Sequence, residues 1–136
     1  MRFIGLVLIF LVFLSCNNNK EKQAADIQNS KMTSIGFSTR IIDFGNVSND
    51  TNIVAVFYLK NIGKRELIIK EVDPDCSCTG FLLEKYNVSS GDSTRLIVNY
   101  NTKGQIKGFQ RKAIIINSNT KKEYNTLFIR CNIIDD

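Results

Sequence analysis

Residues 93–100 read STRLIVNY, and large apolar side chains fall on every second position of this stretch. In an extended chain, successive side chains point to opposite faces. The alternation therefore separates two sets of residues: Leu96, Val98 and Tyr100 on one face, and Arg95, Ile97 and Asn99 on the other. A pattern of this kind is typical of a half-buried β-strand. The sequence predicts a strand here, with the first set in the core.

The same period of two recurs in four other stretches. They read TNIVAVFYLK at 51–60, RELIIKEV at 65–72, RKAIIINS at 111–118 and NTLFIRCNII at 125–134. Turn-forming residues separate them, among them Gly63, Gly91 and Gly104. Six to eight short strands in about 100 residues are typical of a β-sandwich. We therefore predict an all-β fold, a sandwich of about seven strands that forms a single domain over residues 33–136, with Phe57, Leu59 and Ile129 in its core.

The first 16 residues, MRFIGLVLIFLVFLSC, combine an early arginine with an apolar run at residues 3–14. The run is shorter than the roughly 20 residues that span a bilayer, but it fits the apolar core of a signal peptide. A small residue followed by Cys16 ends the run and resembles the lipobox of bacterial lipoproteins, although Phe13 replaces the usual leucine. We predict a lipoprotein signal peptide at 1–15 and a diacylglyceryl group on Cys16. A plain secretory signal or a short buried helix is the alternative.

Residues 16–32 contain few large apolar side chains. Such a segment cannot bury enough apolar surface to fold alone, so we predict a lipidated Cys16 followed by a disordered tether. Two acyl chains anchor a protein stably in a membrane. The predicted location is therefore the bacterial cell envelope, where the membrane is a partner through Cys16 and the domain faces the periplasm or the cell surface.

The formal net charge is +5, and removal of Arg2 with the signal peptide lowers it by one. The basic residues are spread over separate turn-like stretches, at 64–65, 107–112 and 121–122. No single basic run predicts a nucleic-acid face, and an export signal argues against one. We predict no nucleic-acid partner and interpret these charges as solvated loops.

Several short motifs resemble a bacterial family, the domain of unknown function 1573. In chain order they are IDFGNV, FYLKNIGKRELII, DCSCTG and the stretch from Ser90 to Asn119, over roughly residues 40–134. Ser77 stands where the family usually has glycine, Ser90 where proline is common, and Cys131 where glycine is frequent. The resemblance implies an exported domain with an immunoglobulin-like fold, related in shape to the major-sperm-protein and ASH-type modules. It implies no biochemical role.

The chain contains no histidine, which excludes Ser-His-Asp and Cys-His nucleophiles and imidazole metal ligands. Its acidic residues form no spaced pair on one predicted strand face that would suit general acid–base catalysis. Asp73 and Asp75 alone offer too few oxygen ligands for a calcium loop. We therefore predict no enzymatic activity and no cofactor.

Cys76 and Cys78 lie one residue apart in DPDCSCTG, and they are the main candidates for chemistry. The pair could form a strained, reducible disulfide, one of them could bridge to Cys131, or the thiolates could bind Cu(I). Alternatively, Cys76 and Cys78 only fill a crowded loop. Cys131 alternates with Leu127, Ile129 and Ile133, so we predict that it is a buried, inert structural thiol.

These observations favour a non-catalytic envelope protein whose sandwich binds a protein or glycan partner. An exposed edge strand or an end loop is the surface that such folds commonly use. The competing hypothesis is an extracytoplasmic thiol-redox or Cu(I)-handling protein that acts through Cys76 and Cys78.

Overall fold

The structure is a computed structural model, and it describes residues 31–135. The predicted signal peptide, Cys16 and nearly all of the predicted tether lie outside these residues. The described chain forms nine strands: β1 Ile35–Phe37, β2 Ile41–Ser48, β3 Asn52–Asn61, β4 Leu67–Pro74, β5 Thr79–Leu83, β6 Asn87–Val88, β7 Ser93–Asn101, β8 Gly108–Ser118 and β9 Tyr124–Ile134. Within residues 31–135 no helix is long and apolar enough to cross a membrane.

The strands form two sheets. One has the order β1-β3-β7-β5 and the other the order β2-β9-β8-β4-β6. Neighbouring strands are antiparallel except β2 and β9, which are parallel. The predicted all-β sandwich is confirmed, with nine strands instead of about seven. The extra strands include β1 and β6, which have three and two residues. Segments this short are below the length at which alternation can be recognised.

The core lies between the inner faces of the two sheets. Phe57, Leu59, Leu96 and Val98 are fully buried on the four-stranded sheet, as the alternation predicts, and Ile129 is buried on the other sheet. The register agrees, because Phe57 lies opposite Leu96 in the β3–β7 pair. Burial of each such side chain stabilises the fold by about 1.5–3 kcal/mol.

The sequence predicts that Pro74 lies in the cysteine loop and that Gly45 is a hinge between a strand and a turn, and both predictions need correction. Pro74 is the last residue of β4 rather than a loop residue, and it lies opposite Ile114 of β8. Pro74 has no N–H, but this costs no hydrogen bond between strands. Asp75, the next residue, donates its N–H to Ala113 O of β8. Because adjacent N–H groups point to opposite sides of a strand, an N–H at Pro74 would point away from β8. Gly45 is likewise inside β2, where a bulge between Asp43 and Asn46 requires its positive φ of 62°.

Loops gather at two opposite ends of the sandwich. At the proximal end, where the chain enters the domain, Thr33 N donates to Asn119 O and Thr33 Oγ1 to Arg65 O. This end therefore holds the β3–β4 and β8–β9 turns. The distal end holds the β2–β3 turn, the β4–β5 loop and the β7–β8 loop, and Thr102 Oγ1 there donates to Ser48 O.

The side chain of Asn61 makes the central hydrogen bonds of the proximal end. Its side chain is fully buried, and its Nδ2 donates to Arg65 O and Val88 O at 2.6 and 2.9 Å. Its Oδ1 accepts from Gly63 N and lies 2.9 Å from Thr33 Oγ1, whose single hydroxyl hydrogen is shared between Asn61 Oδ1 and Arg65 O. The Asn61 amide group thereby links Thr33, the β3–β4 turn and β6. A buried amide that is fully hydrogen-bonded in this way favours one loop arrangement over others.

Candidate functional site

Cys76 and Cys78 form a disulfide in the β4–β5 loop at the distal end. Their Cα atoms are 5.3 Å apart, and both residues are half-buried. The Thr79 hydroxyl lies 3.3 Å from Cys76 Sγ and 3.9 Å from Cys78 Sγ. Of the arrangements considered from sequence, the structure therefore has the bond within the pair.

The disulfide loop is held by both sheets. Asp75 N donates to Ala113 O of β8, and Ala113 N donates to Asp75 Oδ2 at 2.8 Å. On the other side, Asn101 N of β7 donates to Cys78 O at 3.1 Å. The two cysteines therefore lie where the chain crosses from one sheet to the other, and the bond braces that crossing.

The side chains of Tyr100, Lys112 and Cys131 lie near one another at the distal end of the core. Tyr100 is fully buried, and burial raises its pKa to about 12, with Cys131 and Asp75 contributing. Its hydroxyl has no hydrogen-bond partner among the described residues. Lys112 Nζ lies 5.2 Å from the centre of the Tyr100 ring, a cation–π contact. The ring and the carbon chains of these three residues are apolar, and their polar atoms lie at the ends of the side chains.

Cys131 is buried, is not bonded to another cysteine, and packs in the core as its alternation predicts. Burial raises the pKa of its thiol. A thiol kept protonated in this way is a poor nucleophile. Its position on β9, opposite Gln110, suits packing, and the bridge to Cys76 or Cys78 that the sequence left open is not formed.

The described residues offer little for metal or acid–base chemistry. Within residues 31–135 no group of three or more His, Cys, Asp or Glu side chains could hold a metal ion. Glu84, whose carboxyl pKa is lowered by a hydrogen bond from Arg95, is engaged in an exposed ion pair. The Cu(I) hypothesis therefore depends on two thiolates alone, and these exist only after the disulfide is reduced.

The outer face of the four-stranded sheet carries an apolar patch whose members are far apart in the sequence. Val56, Ile97 and Leu82 lie side by side on β3, β7 and β5. Val54 and Tyr58 extend this row along β3, and we call these five residues the outer patch. Val54, Tyr58 and Leu82 are 50, 49 and 54 % exposed. Alternation identified Ile97 as facing away from the core, but it could not show which neighbours it meets.

The relation to known proteins agrees with this architecture. The family described as protein of unknown function (DUF1573) matches residues 35–133. The chain belongs to the DUF1573 family. No curated protein matches it. The family assignment and the fold predicted from the sequence motifs are therefore confirmed, and the family description itself carries no activity.

Solved structures similar to this DUF1573 chain share its fold at low sequence identity. A protein of unknown function from Porphyromonas gingivalis W83 is 14 % identical, with a TM-score of 0.68 over 75 % of this chain and 47 % of its own length. The ASH/PapD-like domain 7 of human CEP192 is 12 % identical, with a TM-score of 0.56 over 78 % of this chain and 89 % of its own.

A third similar structure is the secreted serine protease VesC from Vibrio cholerae. It is 13 % identical, with a TM-score of 0.56, and the match covers 82 % of this chain but 25 % of the protease. This chain thus spans about half of the Porphyromonas protein and a quarter of the protease. At such identities the likeness shows the immunoglobulin-like, PapD-like fold alone.

Proposed function

We propose that this DUF1573 chain is a non-catalytic envelope protein, anchored by lipid on Cys16, whose sandwich binds a protein partner through the outer patch. The observation that supports this proposal most is the patch itself, in which Val54, Tyr58 and Leu82 are each about half exposed. Contiguous apolar side chains on a domain surface commonly mark a protein-binding site. The absence of histidine from the chain supports a non-catalytic role.

The chemistry of the outer patch favours a protein over a glycan. Four of its five members are aliphatic, and Tyr58 supplies its one aromatic ring. Next to the patch, Arg95 and Glu84 pair with each other across β7 and β5, which offsets both of these charges. Strand β5 is also the edge of its sheet, so its outer backbone groups are available for an added strand.

A site-specific crosslinking experiment tests the partner surface. A photoreactive amino acid at Leu82 should give a discrete crosslinked product in intact cells, and one at Ile115, which is exposed on the opposite sheet, should not. Val56→Asp in the Leu82-labelled chain should abolish the product while the circular dichroism spectrum is unchanged. Equal products from Leu82 and Ile115, or none from Leu82, would refute the outer patch as the binding surface.

The anchor has its own test. Metabolic labelling with a fatty-acid analogue should mark the wild-type chain, and Cys16→Ala should remove the label and release the domain from the membrane fraction. Equal labelling of the two chains would disprove the lipoprotein hypothesis. This result is independent of the crosslinking result.

The Cys76–Cys78 disulfide favours a second function, thiol-redox exchange. Its reduction would open the sulfur–sulfur bond, add two electrons and two protons to give two thiols, and convert a dithiol donor into a disulfide. A ring closed across a single intervening residue is strained, which makes a disulfide easier to reduce. Reduction would also expose the two soft ligands that Cu(I) binding requires.

Redox titration separates this function from a structural bond. In glutathione buffers, mass spectrometry after alkylation should show the pair half reduced within the range of exchanging disulfides if it acts in redox chemistry. Persistence of the bond in excess dithiothreitol would identify it as structural. Copper analysis of the reduced chain, with a Cys76→Ser, Cys78→Ser double variant as control, tests the Cu(I) version.

A further inference from the structure

Basic residues that are far apart in the sequence converge at the proximal end. The β3–β4 turn contributes Lys64 and Arg65, and the β8–β9 turn contributes Lys121 and Lys122. Thr33 joins these turns, since its N–H donates to Asn119 O and its hydroxyl to Arg65 O. The fold thereby collects charges that appear in the sequence as isolated pairs.

A cleft of about 240 Å³ lies at this end, and we call it the proximal cleft. Arg40, Lys121 and Lys122 line it together with the hydroxyl residues Thr33, Ser34 and Thr120, and no acidic residue lines it. The nearest acid in the turn, Glu123, pairs with Lys70 at 3.9 Å. Among residues 31–135, Arg40, Lys121 and Lys122 form no ion pair.

Arg40 is held in a fixed position at the cleft. Its guanidinium carbon lies 4.2 Å from the centre of the Phe37 ring, and Nη2 donates to Asn125 Oδ1 at 3.2 Å. An arginine has five N–H donors in a planar fork, so most of them remain available to an oxyanion. An arginine fixed by a ring and one hydrogen bond loses little side-chain entropy when it binds a phosphate.

We infer that the proximal cleft binds the phosphate of an anionic phospholipid headgroup and turns the proximal end toward the membrane. This inference rests on the lipid anchor in the proposed function. Sixteen residues separate Cys16 from Thr33, which lines the cleft. Along the chain, the predicted anchor is therefore nearer to the proximal end than to any loop of the distal end.

The anchor and the cleft then act on the same surface. A lipid anchor holds the proximal end close to the bilayer, and each basic residue near an anionic surface strengthens binding roughly fivefold. Because a basic cluster is one of the second signals that supplement acyl chains, the two contacts would together fix the orientation of the domain. The outer patch and the disulfide loop would remain accessible.

Vesicle sedimentation tests the cleft without the anchor. The probe is the non-acylated chain of residues 17–136, which contains the whole compact unit Met32–Asp136 and every core residue described above. It should bind phosphatidylglycerol vesicles, bind phosphatidylcholine vesicles much more weakly, and be released by 0.5 M salt. Lys121→Gln with Lys122→Gln should weaken binding by about 25-fold.

The matched control is Lys103→Gln with Lys107→Gln. It removes the same charge from the distal end, where both lysines already pair with Asp50 and Asp135. This variant should bind nearly as the parent chain does. Equal losses in the two double variants, with unchanged melting temperatures, would show a non-specific charge effect and overturn the inference, as would no binding to the anionic vesicles.

A second arm separates a lipid phosphate from a soluble one. Titration with inorganic phosphate, followed by nuclear magnetic resonance at Arg40 and Thr120, should give weak shifts that the Lys121→Gln, Lys122→Gln variant lacks. Tight phosphate binding without vesicle binding would replace the membrane by a soluble anion. Because the probe carries no lipid, vesicle binding with a negative Cys16 labelling result would refute only the anchor.

Discussion

Gly63 occupies a position in the β3–β4 turn that leaves no room for a side chain. A Cβ atom there would lie against Thr33 Oγ1 and 2.6 Å from Ser34 N, neither of which can move without breaking the proximal hydrogen bonds. Gly63→Ala should therefore destabilise the domain by about 1–3 kcal/mol. At Gly80 a Cβ would meet nothing within 4 Å. Gly80→Ala should leave stability unchanged or slightly raised in urea denaturation, and equal losses would contradict this account.

Tyr100 gives the stability of the domain a dependence on alkaline pH. Burial raises its folded pKa from 10.0 to about 12, so its contribution is complete below pH 10 and is lost as pH rises toward 12. Its hydroxyl has no partner among the described residues. Tyr100→Phe should therefore be close to neutral at pH 7 and more stable than wild type by about 1 kcal/mol at pH 11. If the wild type and Tyr100→Phe had the same urea midpoint at pH 11 as well as at pH 7, the raised pKa of Tyr100 would be refuted.

The contacts of individual polar and sulfur-containing side chains are the features that the sequence predicts least well. The Asn-Ile-Gly-Lys segment at 61–64 predicts a turn, and the turn is present. The buried Asn61 hub was not predicted, because two of its partners, Thr33 and Val88, are 28 and 27 residues away. The Cys76–Cys78 bond stood among several open alternatives, since spacing alone does not determine the oxidation state or the position of a third thiol.

Strands β3 and β7 provide the decisive test of register at the scale of the element. Phe57 and Leu96 lie opposite each other inside the core, and Tyr58 and Arg95 lie opposite each other outside it. Phe57→Ala should destabilise by about 3–5 kcal/mol because it leaves a cavity. Arg95→Ala should leave the free energy of unfolding nearly unchanged, since its ion pair with Glu84 is exposed to solvent. Comparable losses in chemical denaturation would show that the register is wrong.

Alternation predicts the long strands well because each has one face in the core and one in solvent. It fails for β1 and for the parallel pairing of β2 with β9. The direction of pairing depends on the path that the chain takes between β1 and β2, and no side-chain pattern encodes that path. The bulge at Gly45 also interrupts the period of two within β2. The sequence thus predicts the long alternating strands, but it predicts neither the short strands β1 and β6 nor the order of strands in the sheets.

At the scale of the whole molecule, the two ends of the sandwich differ in chemistry. The proximal end carries Arg40, Lys64, Arg65, Lys121 and Lys122. The distal end carries the disulfide loop and two lysines already paired with acids. In the sequence these basic residues have the pattern of scattered loop charge, since the two turns that hold most of them are more than 50 residues apart. Only strand order places the turns side by side.

If Cys16 carries the proposed lipid, this polarity predicts how the anchored chain is oriented on a membrane. In vesicles that contain phosphatidylglycerol and a headgroup-bound acceptor dye, a fluorophore at Lys64→Cys should transfer energy more efficiently than one at Asp50→Cys, because these turns lie at the proximal and distal ends. Both positions are exposed, and the buried Cys131 should not react with the dye.

The difference should shrink in phosphatidylcholine vesicles, where the anchor remains but the basic residues have no anionic surface to bind. Equal transfer from the two sites in the anionic vesicles would mean that the domain tumbles freely on its tether, and that the charge at the proximal end does not orient it.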